Sequence, residues 1–335
     1  MTAVKLFGKM NGTPIYRYTV ENKNGVQLSC LSYGAAWQSL KVPVNGHLQE
    51  LILSSPQIDD YVGTYHGKSV GRVAGRIGQG QYMQAGQEVS LPTNEGSTTL
   101  HGGPHGFSTL NWHGEIKNNQ IIFNRHISES EDGFPGDIDV TIIFTLDDQN
   151  NVTITYTASA NAETLFNPTN HVYFNLNASD TDIGNHHLTV PSSQRFKLTS
   201  KKIPTGELLD VAASYFDFRK PQLLKEMFKK AQSTPENGLD DIYYLNAHRE
   251  QNLAATLSQG NIKVDVFSNR NALVVFTAND FDESLHFIGK QARPHIGIAM
   301  EAQTAPRAIV DPKFGDIRLH SGQTRQEKTR YHFTF

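Results

Sequence analysis

The chain has a single cysteine, Cys30, among its 335 residues, so no internal disulfide forms and no thiolate pair is available to zinc. Tryptophan is nearly as scarce, with two. Charge is thin: Asp, Glu, Lys and Arg make up 19% of the residues, and 30 basic against 33 acidic side chains leave a net charge of -3. Without a basic excess the chain lacks the electrostatic footprint of a nucleic-acid binder, and no nucleic acid is expected as partner. Long apolar runs are missing as well. The charge-free stretch 24–40 is broken up by Ser, Gln and Gly, which excludes it as a bilayer span. The opening MTAVKLFGKMNG has no apolar signal-peptide core. The expectation is a soluble, cytoplasmic protein with no membrane partner.

What is present points to strands. Apolar residues reach 38%, enough for a large core, and 18 Phe with 12 Tyr suit sheets and flat ligand surfaces. Alternation with a period of two dominates. The runs 138–146 (IDVTIIFTL) and 152–158 (VTITYTA) flank the polar turn 147–151 and read as a hairpin. Similar runs lie at 120–125, 187–191, 261–267, 272–278, 296–300 and 330–335, with turn residues between them. Only Pro221–Ala231 (PQLLKEMFKKA) reads as a helix, with Pro in its first turn. Strand after strand without alternating helices predicts an all-β fold, a large antiparallel β-sandwich. No composition break or linker divides it, so residues 1–335 are expected to form one domain.

Several chemistries lack their motifs. Gly78-Gln79-Gly80 has no third glycine for a dinucleotide turn, and neither a phosphate-binding loop nor a Gly-x-Ser-x-Gly elbow occurs. His101 and His105 have ligand-like spacing but sit in a Gly/Pro loop with no neighbouring carboxylate, so no metal site is expected. Five segments do place polar groups where a core has no need of them. GRVAGRI at 71–77 carries Arg72 and Arg76 on one predicted face among small residues, which also fits a solvated basic surface. TLHGGPHG at 99–106 offers His101 at a loop tip. In NPTNHVYFNL at 167–176, alternation gives His171, Tyr173 and Asn175 one wet face opposite Val172, Phe174 and Leu176. Asp240 and Asp241 in NGLDDIYYL face opposite ways if extended, and two surface acids fit as well. In IGIAMEAQTAP, Glu301 ends an apolar strand; burial against Ile298 and Met300 raises a carboxyl's pKa toward neutrality and makes it the best candidate for a base.

Taken together, GRVAGRI at 71–77, LHGG at 100–103, DGFPG at 132–136, NHVYFNL at 170–176, GLD at 238–240 and GIAMEAQ at 297–303 resemble the aldose 1-epimerase (galactose mutarotase) family, in the family's order and over most of the chain. The resemblance implies a sandwich that binds a monosaccharide, galactose or glucose, on a concave sheet face. It implies exchange of α- and β-anomers by ring opening, without metal or other cofactor, in a monomer or homodimer. By analogy Glu301 is the base, His171 the acid and His101 a second active-site histidine; Arg76 and Asp240 hold sugar hydroxyls. One departure stands out: Gly75 occupies the position before the arginine where the family usually has Asn, so that contact to the sugar is either missing or supplied by a neighbour such as Asn170 or Gln303. The pairing of acid and base predicts an ionised Glu301 beside a protonated His171. Three rivals are a glycoside hydrolase or lyase using Asp240 and Glu301, a sugar-binding module without catalysis, and a hexose 6-phosphate epimerase meeting phosphate with Lys68, Arg72 or Arg307.

Overall fold

The computed structural model describes residues 2–245 and 252–335. The hairpin forms as the alternation requires. Ile138–Leu146 pairs antiparallel with Asn151–Ala160, from Ile138 opposite Ala160 to Leu146 opposite Val152. Asp147 closes the turn by accepting the N–H groups of Gln149 and Asn151 on one carboxylate oxygen. This hairpin belongs to a nine-stranded sheet, in which the last strand, Thr324–Thr334, lies between Asn151–Ala160 and Ile262–Ser268. The first five strands, from Thr2–Met10 to His47–Glu50, form a separate meander. A six-stranded sheet completes the antiparallel β-sandwich.

One buried cluster joins the three sheets: Leu28 and Trp37 from the meander, Phe144 and Phe333 from the large sheet, Val275 and Met300 from the third. Trp37 is at its centre and meets Phe144, Phe174, Tyr331 and Phe333 edge to face. No helix among the described residues is long and apolar enough to cross a membrane.

Two element boundaries differ from the sequence reading. The helix is Leu224–Ala231, and the preceding Gln222–Leu223 is a short strand paired with His187–Thr189. Sheet pairing takes the two residues that a first-turn proline would have led into the helix. The strand expected at 296–300 is Ile298–Gln303, so Glu301 stands inside it and not at its end. Its backbone is paired with Val274 of Ala272–Phe276. Alternation then divides this strand: Ile298, Met300 and Ala302 enter the core, while Ala299, Glu301 and Gln303 face the other way. On the opposite flank, Tyr173–Phe174 pairs through Tyr173 opposite Ala299. Continuing that register by two residues brings His171 opposite Glu301.

Candidate active site

A cavity of about 510 Å³ opens on this face of the six-stranded sheet, within the usual size range of small-molecule sites. Glu301, Gln303, Asp240 and Tyr173 come from the sheet; His171, His101, Arg76 and Tyr65 reach it from adjoining segments. His171 Nε2 stands 3.4 Å from Glu301 Oε1. Its backbone is tied on both sides, its N–H donating to Lys68 O and its carbonyl accepting from Gly67 N. Glu301 Oε2 and His171 Nδ1 are buried without a hydrogen-bond partner among the described residues. Burial pushes the Glu301 carboxyl up to about 8, with the Asp240 carboxylate adding to the rise and Arg76 opposing it. Burial also pulls the His171 imidazole down to about 4.

These shifts reverse the expected resting charges. Burial disfavours the ion on each group, carboxylate and imidazolium alike, which favours a neutral carboxylic acid beside a neutral imidazole. The proton count matches that of the expected ion pair; the proton simply sits on the other partner.

His101 lies in the left-handed region, φ 52°, and is largely buried. Gly102 makes that loop possible, because a Cβ there would lie 1.8 Å from Gly71 O. His101 Nδ1 accepts the Gly75 N–H at 3.2 Å, which places the ring proton on Nε2. Burial holds this imidazole well below its ordinary pKa, so it is a neutral donor. Its ring packs against His171 and Tyr65, with centroids 5.2 and 4.8 Å away.

Arg76 binds Glu95 bidentately, at 2.7 and 2.8 Å, with its head on the cavity wall. Asp240 and Asp241 do face opposite ways. Asp240 lines the cavity with Lys202 3.9 Å away, while Asp241 pairs with Arg195 on the far side at 3.0 Å. Gln303 lines the cavity with both amide atoms buried and unpaired among the described residues. Gly75, at φ 79°, is its neighbour: a Cβ there would stand 3.5 Å from Gln303 Nε2. Asn170 is not in the cavity wall; its Nδ2 donates to Gly67 O, behind His171. Asn175 does not share the wet face either, its amide donating to Thr181 O and Ile296 O.

The two arginines of GRVAGRI part company. Arg72 turns inward to Asp132 and does not share a face with Arg76. Lys68 is buried with its ammonium over the Tyr33 ring, and neither it nor Arg72 or Arg307 lines the cavity. His105 is exposed. The fold does supply the carboxylate that the sequence around His101 lacks: donor atoms of His101, His171 and Glu301 all lie within 4.8 Å of one another, a set with the chemistry to hold a divalent cation.

Tyr65, Lys202 and Phe281 also line the cavity and carry no alternation signal, since they stand in loops. Tyr65 had a readable cue, the glycine-bracketed segment 63–67 (GTYHG), which like the His101 loop sets a histidine among glycines.

The chain is similar to known proteins over nearly its whole length. The family model described as Aldose 1-epimerase matches residues 16–332. An aldose 1-epimerase of Streptococcus thermophilus is 36% identical, covering 96% of this chain and 94% of that protein. A maltose epimerase of Levilactobacillus brevis is 33% identical, over 98% of this chain and 97% of its own length. A solved galactose 1-epimerase from Lactobacillus acidophilus superposes with a TM-score of 0.83 at 26% identity, covering 99% of this chain and 98% of that one. With a matched span of that length, and relatives of this identity from end to end, the chain belongs to the aldose 1-epimerase family.

Proposed function

We propose that this isomerase interconverts the anomers of free aldohexoses such as galactose and glucose, with Glu301 and His171 exchanging the protons. The supporting observation is the buried contact between their side chains, 3.4 Å apart, in the wall of a cavity of about 510 Å³. Transfer of a proton from Glu301 to His171 creates the reactive form. The carboxylate takes the proton of the C1 hydroxyl, the bond from C1 to the ring oxygen breaks, and the imidazolium protonates that oxygen. Rotation about C1–C2 presents the other carbonyl face, and the reverse transfers close the ring and restore both groups. No electrons change hands, and the net charge of the pair is constant throughout. His101 Nε2–H is a donor for oxygens near C1. Arg76, Asp240 and Gln303 bind ring hydroxyls, with Gln303 taking the contact that Gly75 lacks.

Polarimetry on freshly dissolved α-galactose and α-glucose tests the reading: rotation decays to equilibrium far faster with the protein than without it. Binding without acceleration sinks the proposal in favour of a sugar-binding module, and new reducing ends from a disaccharide sink it in favour of a hydrolase. Phosphorylated hexose is the weaker substrate on charge grounds, because the cavity's Arg76 and Lys202 are already paired with Glu95 and Glu236. A maltose epimerase among the relatives and the aromatic rim at Phe281 favour acceptance of a disaccharide's reducing end as a second reading.

The pair's protons set the pH dependence. Below about 4 both groups are protonated and the base is lost; above about 8 neither is, and the acid is lost. The kcat/KM profile is therefore expected to be flat through neutrality and to fall beyond those limits. A profile rising steadily from pH 7 to 9 contradicts the shared proton. Arg76→Ala is expected to raise KM with little change in kcat, since its guanidinium meets hydroxyls alike in the ground and transition states. A fall in kcat alone would move Arg76 into the chemistry.

A further inference from the structure

The first five strands carry a second cavity, of about 190 Å³, that shares no lining residue with the first. It lies on the sheet face opposite the core: Arg17 and Thr19, which line it, alternate with the core residues Tyr18 and Val20. Its upper wall is basic. Lys5 and Arg17 are direct cross-strand partners, and like charges in that position repel. Among the described residues neither has a carboxylate partner. Lys41 adds a third cation at the rim.

The floor is polar and sunk from solvent. Ser29, Gln38 and Ser39 of the sheet and Ser54 just beyond it are all buried, although they line a cavity on the sheet's outward side. Most of their groups are committed within the protein. Ser29 bonds Thr19, Gln38 Nε2 donates to Ser54 Oγ at 2.9 Å, and Ser39 donates to the Glu50 carboxylate. Glu50 also lines the cavity; it accepts the Leu40 N–H at 2.7 Å and stands directly across the strands from Lys41, leaving Lys5 and Arg17 as the cations with no carboxylate partner among the described residues. One floor atom has no partner among the described residues: Gln38 Oε1, buried in a residue 2% exposed. An unpaired buried acceptor is a place for a ligand O–H, and a pair of facing cations is a place for an anion.

We infer that this cavity binds a small phosphate monoester carrying hydroxyl groups, its phosphate between Lys5, Arg17 and Lys41 and a hydroxyl donating to Gln38 Oε1. A dianion relieves the repulsion between the paired cations, and arginine's planar fork matches two phosphate oxygens.

Calorimetric titration with glucose 6-phosphate, inorganic phosphate and glucose tests the site. Glucose 6-phosphate is expected to bind more tightly than inorganic phosphate, and glucose is expected not to bind here. Arg17→Gln and Lys5→Gln are each expected to weaken glucose 6-phosphate roughly tenfold or more. Both residues are on the surface, and unchanged mutarotation by the variants shows that the fold is kept. Gln38→Leu is expected to weaken glucose 6-phosphate and leave inorganic phosphate unchanged. Asp240→Asn, in the other cavity, is expected to leave this binding intact. The inference is overturned if glucose 6-phosphate does not bind at millimolar concentration, if Arg17→Gln and Lys5→Gln leave its affinity unchanged, or if Asp240→Asn abolishes binding, which puts the ligand in the catalytic cavity. Indifference to Gln38→Leu overturns the hydroxyl contact and with it the choice of a monoester.

Discussion

Glu301→Gln is expected to lower kcat for anomer exchange by at least about two decades, the contribution of a positioned general base. Glutamine keeps the shape of the side chain but cannot take the C1 hydroxyl proton, and it leaves His171 without the proton it passes on. His171→Asn should fall by a similar factor. The two losses should not add in the double variant, because each single change already breaks the one proton circuit. Stability supplies an independent readout. The Glu301 carboxyl has a pKa of about 8 in the fold against an ordinary 4.5, so its protonated form is the one the fold favours. The stability tied to that proton is complete below about 4.5 and is lost as pH rises through about 8, by on the order of a few kcal/mol. Glutamine is neutral at every pH and escapes that loss. The melting temperature of Glu301→Gln relative to the parent protein should therefore climb between pH 5 and pH 9 while activity stays low. Near-normal mutarotation by this variant on fresh α-glucose would remove Glu301 from the chemistry. A flat difference in melting temperature would remove the buried carboxylic acid.

The strands were legible in the sequence as alternation, whereas Glu301 was singled out for burial against Ile298 and Met300, which in the fold lie on the opposite face of its strand. Once Ile298 and Met300 are placed in a core, Glu301 and Gln303 must share the other face, and Asp240 and Asp241 must part. The meeting of Glu301 with His171 was open to inference only through the family resemblance. It depends on a register between segments about 130 residues apart, set by Tyr173 opposite Ala299. Resting charge was out of reach for a different reason. Attraction between the two groups follows from their types, whereas the cost of removing them from water depends on how deeply they are packed. The failures of the reading were local competitions decided by tertiary contact. Gln222 and Leu223 joined a sheet edge, and Asn170 turned to Gly67 O instead of the cavity. In GRVAGRI the even spacing of the arginines suggested one face, but the short strand there spans only Arg76–Ile77, so the face that spacing requires is never built.

Arg72 itself explains DGFPG, a motif with no evident chemistry, and sets the largest expected effect on stability. Its guanidinium is wholly buried and holds both Asp132 oxygens, at 2.7 and 2.9 Å. It also donates to Gly136 O at 2.8 Å and to Thr164 Oγ1 at 3.0 Å. Asp132 in turn accepts the Phe134 N–H at 3.1 Å, and the Phe134 ring lies under the guanidinium. The 132–136 turn is thus wrapped around a charge that belongs to the segment leading to Gly75 and Arg76 in the active-site wall. Asp132→Ala leaves that charge buried without its counter-ion and should cost about 3–5 kcal/mol of unfolding free energy. Arg72→Met combined with Asp132→Leu removes both charges and fills the space with apolar atoms, and it should recover most of the loss. Urea unfolding of the single and double variants measures both quantities. A loss below about 1 kcal/mol for Asp132→Ala, typical of an exposed pair, would mean that water reaches this contact and that the motif has some other task. Recovery of stability in the double variant with KM still raised would show that the clamp positions Arg76 as well as stabilising the fold. Recovery of both would reduce it to a packing element.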